Sequence, residues 1–144
     1  MGLEIAEIMM DLEDEFFVVL ESDARLDGSV KSLEDFVLSA FSRQRIADLI
    51  DVIGALPYGD NAVLDRSQYK ITRQHVPALP RGLIWVPGEF NTKEKIIQSL
   101  RDRLSGYPDD ESVRVGVRRI IEKRLQLKVQ VKPSDHLVRD LNAG

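Results

Sequence analysis

Four carboxylates near the start of the chain, Glu4, Glu7, Asp11 and Asp14, recur at offsets of 3, 7 and 10 residues, the spacing of one continuous helix face. Acids spread evenly along an exposed stripe do not converge in a pocket as a general acid and base must. On its spacing alone the stripe reads as a solvated surface face. Residues 112 to 132 hold the opposite charge: Arg114, Arg118, Arg119, Lys123, Arg124, Lys128 and Lys132 against one acid. Such a helix could contact phosphates, but no base-reading or stacking set accompanies it and the net charge is −4, so nucleic acid is not expected. The basic set reads as a solvated face or as the partner of the acidic helix, in the same or another molecule. His75 and His136 stand alone in irregular segments and read as surface or capping residues. Without cysteine there is no thiolate nucleophile or thiolate metal site, and Gly54, Gly59, Gly82 and Gly88 match no phosphate-binding motif. An enzyme is not expected.

The elements that must carry these residues are helical. Ile5, Met9, Leu12 and Phe16, with Ile8 beside them, give an apolar stripe opposite the acidic one over residues 3 to 16. A loop with Gly28 follows, and Ser32 with Asp35 has the spacing of a capping box, which predicts a helix start there. Leu33, Phe36, Val37, Ala40 and Phe41, then Ile46, Leu49, Ile50 and Ile53, continue the pattern as one long helix or as two with a bend. Four of the six prolines fall between Pro57 and Pro87, which marks a connector in which Trp85 reads as a core residue. Asn91 and Glu94 predict another cap, Ile96, Ile97, Leu100 and Leu104 a helix face ending at Gly106, and Val113, Val117, Ile120, Ile121 and Leu125 a last helix starting near Glu111. The tail from Leu127 reads as irregular. At 144 residues the chain can bury one modest core. It contains no run of the roughly 18 apolar residues that a span needs, and its acidic start lacks the flanks of a signal peptide, so a cytoplasmic protein without membrane contact is expected.

Two stretches carry a family resemblance. Val113 to Leu125, followed by the loop LKVQVKPSDHLVRDLNAG, resembles the first helix and long loop of acyl carrier proteins, whose loop leads to a motif of the form D-L-G-x-D-S-L. Asp140-Leu141-Asn142-Ala143-Gly144 is similar to the opening of that motif. Leu3 to Phe16, ending in Glu13-Asp14-Glu15-Phe16, resembles the family's acidic second helix with its terminal E-E-F. Phe17 to Val30 resembles the loop bearing the short third helix, and Val30 to Val37 the entry to the last helix. The likeness covers roughly residues 1 to 42 and 111 to 144, and its two pieces break at the same point of the family pattern, so joining Gly144 to Met1 restores it.

The resemblance implies an all-α fold: an acyl-carrier-like four-helix bundle in circularly permuted order, or one completed by a domain-swapped homodimer, or parts of two successive repeats, with an extra helix and the proline-rich connector added. It divides the chain into a carrier-like second half (1–56), a connector (57–91), and an extra helix followed by a carrier-like first helix and long loop (92–144). It also implies an attached 4′-phosphopantetheine, borne in the family by the motif serine. Here the equivalent position is Gly2, which has no hydroxyl, and Ser22, Ser29, Ser32, Ser39, Ser42 and Ser134 lack the motif's context. No cofactor is therefore expected in this form. The expected function is that of a non-catalytic carrier-like protein in acyl, fatty-acid or polyketide-type biosynthesis, with Glu4, Glu7, Asp11 and Asp14 meeting basic patches on protein partners. The alternative is a stand-alone helical adaptor or dimerisation module unrelated to acyl transfer.

Overall fold

The computed structural model describes residues 3–18, 20, 26–55, 57 and 92–143. Their regular structure is helical: α1 (Leu3–Phe16), α2 (Val30–Ala40), α3 (Arg43–Gly54), α4 (Lys93–Gly106) and α5 (Asp110–Leu125), with no strand among the described residues. The described residues are thus all-α in class. Most of the connector lies outside the described residues, with Trp85 and His75 in it.

In α1 the apolar stripe does what its spacing dictates. Ile8, Leu12 and Phe16, one turn apart, are fully buried, and Ile5 and Met9 flank them. The helix stops at Phe17, whose φ of 53° is left-handed, a conformation that ends an α-helix and is costly for an aromatic residue; burial of its ring offsets that cost.

α2 starts one turn earlier than the Ser32 pattern predicts. Ser29 is the cap: its hydroxyl oxygen accepts from the Ser32 N–H at 3.1 Å. The remaining amides of the first turn donate to the tail of the chain, Val30 to the Asp135 carbonyl at 2.8 Å and Lys31 to the Pro133 carbonyl at 2.9 Å. Those acceptors lie about a hundred positions away in sequence, beyond the reach of any local capping pattern. The open question of one helix or two resolves as two: α2 ends at the extended Phe41, and the Ser42 hydroxyl accepts from Arg45 N–H to cap α3. The cap of α4 is made by Thr92, whose hydroxyl accepts from Lys95 N–H, while Asn91 lies outside the described residues. α5 begins at Asp110 behind a reciprocal cap between Asp109 and Ser112, and its last turn carries Lys123 and Arg124, favourable at the negative end of a helix.

The chain divides into two compact units, Met1–Phe41 with Tyr107–Gly144, and Ser42–Gly106. α3 falls with α4 in the second unit and α2 with α1 and α5 in the first. In the first unit α5 packs on both α1 and α2. Its core joins Ile8, Leu12 and Phe16 to Leu33, Phe36 and Val37 of α2 and to Val113, Val117 and Ile121 of α5. Val131, Leu137 and Ala143 of the tail are buried in the same core, so this segment is ordered by packing despite its irregular sequence. Phe16, Phe41 and Tyr107 form an aromatic cluster, with the Phe41 and Tyr107 rings 6.2 Å apart and the Tyr107 hydroxyl donating to Glu15 at 2.9 Å. Gly116 leaves room for it: a β-carbon there would lie 2.7 Å from the Tyr107 ring. In the second unit α3 and α4 pack together, burying Ile46, Leu49, Ile53, Ile96 and Leu100.

Candidate functional site

The acidic face and the basic helix meet within the first unit. Arg124 of α5 grips Asp11 with two hydrogen bonds of 2.7 Å and reaches Glu7 at 3.2 Å. The same carboxylates raise the affinity of the Arg124 guanidinium for its proton, the Asp11 hydrogen bond most of all. Of the four acids, Glu7 and Asp11 are half-buried in this clasp, and Glu4 and Asp14 are exposed. Gly2 lies outside the described residues. The basic set is partly committed as well: besides Arg124, Arg114 and Arg118 are paired, while Arg119, Lys123, Lys128 and Lys132 are exposed.

Arg114 and Arg118 converge on Glu34, whose side chain is only 1% exposed. Arg114 stands 3.2 Å from Glu34 and 2.7 Å from Asp35; Arg118 stands 3.5 Å from Glu34 and 3.4 Å from Glu111. Burial pushes the Glu34 carboxyl above its ordinary range against the pull of both arginines. Sequence reasoning missed this group, although its signal is present: Val30, Leu33, Glu34 and Val37 stand at i, i+3, i+4 and i+7, so Glu34 occupies a position of the core stripe. Each of the three stripe neighbours is buried.

Beside α1 lies an apolar cleft of about 180 Å³, lined by Ile5, Met9, Leu26, Gly28, Ser29, Ser32, Leu33, Leu137 and Val138. The wall over Leu137 and Val138 is part of the turn that the sequence presented as irregular. A more open, polar depression lies over the start of α2, where hydrogen bonds from Ser29, first its side chain and then its backbone, bring the Asp27 carboxyl down to about 2.

His136 is a capping residue, as expected: its Nδ1 accepts from the backbone N–H groups of Val138 and Arg139. The described residues hold no group of His, Asp and Glu fit for a metal ion. The hydroxyls of Ser29, Ser32, Ser39 and Ser42 are engaged in local hydrogen bonds at helix ends or within α2. No helix among the described residues is long and apolar enough to cross a membrane. Comparison of the chain with protein-family models, with curated proteins and with solved structures returned no match in any of the three.

Proposed function

We propose that the chain is an acyl-carrier-like interaction module that docks on basic surfaces of partner enzymes through α1 and carries no phosphopantetheine itself. The observation that supports this most is the composition of the first unit: the two segments that resemble complementary parts of a carrier, one from each end of the chain, pack within one chain around one core. Two details agree with it. Phe41 and Tyr107, which bound the inserted segment, have their rings 6.2 Å apart, so that a connector there could bridge the ends of a carrier of ordinary order. Asn142, which stands where the carrier motif has its glycine, has a φ of 58°, the left-handed conformation that favours Gly and next Asn. The α3–α4 pair has no counterpart in this reading. It favours the second reading of the chain, a helical adaptor whose binding element is that pair.

A competition experiment tests the proposal. Added to a phosphopantetheinyl transferase with coenzyme A and a genuine carrier substrate, the folded chain slows modification of the carrier and itself gains no mass. Glu4→Lys weakens the inhibition. That position is chosen because Glu7 and Asp11 also hold Arg124, and reversing them would perturb the fold. An intact chain that neither slows the reaction nor depends on this charge would remove the docking role, and a mass gain would remove the claim that it cannot be loaded.

A further inference from the structure

The acidic face of α1 is already occupied by a base of the same chain. Arg124 lies side-on to Asp11, with Nε donating to Oδ2 and Nη2 to Oδ1, each at 2.7 Å, and its Nη1 donates to Glu7 Oε2 at 3.2 Å. Two parallel hydrogen bonds from a guanidinium are among the strongest grips a basic side chain has on a carboxylate, and an arginine of a partner would take the same oxygens. All three groups remain within reach of solvent: the side chains of Arg124, Glu7 and Asp11 are 38%, 35% and 32% exposed. A contact exposed to that degree adds little to the fold and is open to exchange for another cation. Nor do the two helices depend on it to stay together, since Ile8, Leu12 and Phe16 share a core with Val113, Val117 and Ile121.

We propose that Arg124 is an internal competitor for the α1 docking face, so that a basic partner engages the chain by displacing Arg124 from Asp11 and Glu7 with an arginine of its own. This rests on the docking role proposed for α1 and names what regulates it. The clasp also sets the chemistry of the partner: a lysine, a single point of charge, cannot replace both parallel bonds, whereas an arginine replaces them one for one. Arg124 stands in the last turn of α5, just before the left-handed Gln126 that ends the helix, so its side chain can leave α1 without moving the core residues of the turns before it. A face filled from within is open in only a fraction of molecules, and its apparent affinity falls by that fraction. Glu4, one turn before Glu7, is exposed outside the clasp and offers an approaching cation its first contact. Lys123, the residue before Arg124, is exposed and takes no part in the clasp.

The test measures the inhibition constant of the full chain against the phosphopantetheinyl transferase, with a genuine carrier as substrate, for wild type and three variants. Arg124→Gln, which vacates the clasp, should inhibit severalfold more strongly than wild type. Lys123→Gln makes the same change in charge on the same turn and should move the constant far less. Arg124→Lys keeps the charge but loses the two-pronged grip, and should fall between wild type and Arg124→Gln. Arg124→Gln inhibiting no more strongly than wild type would remove the competitor and leave the docking face standing. An equal gain in Lys123→Gln would also overturn it, because net charge alone would then account for the effect. Absence of inhibition by wild type and by every variant would remove the docking face, and the competitor with it. Should Arg124→Gln fail to fold, the comparison of Arg124→Lys with wild type decides.

Discussion

At the scale of the residue, two carboxyls give the fold opposite responses to acid. Asp27 is held at about 2, below the value it has in an unfolded chain, so its contribution to stability is present above about pH 4 and is lost as the pH falls toward 2. Asp27→Asn should remove that part of the acid limb in a pH series of urea titrations. Glu34 is raised, chiefly by burial, so the sign reverses: its contribution favours the folded state below its unfolded value and is lost as the pH rises through its folded one. The stability difference between wild type and Glu34→Gln should therefore move in favour of wild type as the solution is acidified. Glu34→Ala removes the acceptor shared by Arg114 and Arg118, and should cost about 1–3 kcal/mol at neutral pH, below the figure for a wholly buried pair because both arginines reach solvent.

At the scale of the element, α5 is the hub, and it is joined to its neighbours by contacts of unequal strength. The Arg124 clasp to α1 is about one-third exposed on both sides, so Arg124→Ala should lower the melting temperature only slightly, a loss that shrinks further in high salt. Gly116 is the less forgiving position. A methyl group there meets both Tyr107 and Phe16, and Gly116→Ala should cost about 1–3 kcal/mol in urea unfolding, with the Tyr107 hydroxyl displaced from Glu15. Much of this level was legible in the sequence. The periodicity of Ile8, Leu12 and Phe16 defines α1 from end to end, because a helix face needs only local spacing. The start of α2 was not legible, since the carbonyls of Pro133 and Asp135 complete its first turn, and neither was the order of the tail, where Leu137 and Ala143 are fixed by packing and no helix period reveals them. Within the candidate site, the acidic stripe could be read directly, but its partner Arg124 could be read only as one of seven bases.

At the scale of the whole molecule, the first unit is discontinuous and the second is inserted between Phe41 and Tyr107. Because those two side chains touch the same aromatic cluster, a short Gly/Ser link from residue 41 to residue 107 should leave the first unit intact. The expected outcome is a helical, cooperatively unfolding protein that retains the hydrogen-exchange protection of Leu12, Val37 and Ile121. Loss of that protection would mean that the inserted segment supplies part of the core.

The placement of α5 after the inserted segment also sets an order of events during synthesis. α1 and α2 leave the ribosome early with Ile8, Leu12, Phe16, Leu33 and Val37 uncovered, and the residues that cover them, Val113, Val117 and Ile121, follow only after about seventy more have been joined. The α3–α4 pair is complete before α5 is made. The nascent chain therefore spends the interval with the apolar faces of α1 and α2 unshielded, where a chaperone that binds such surfaces would find them.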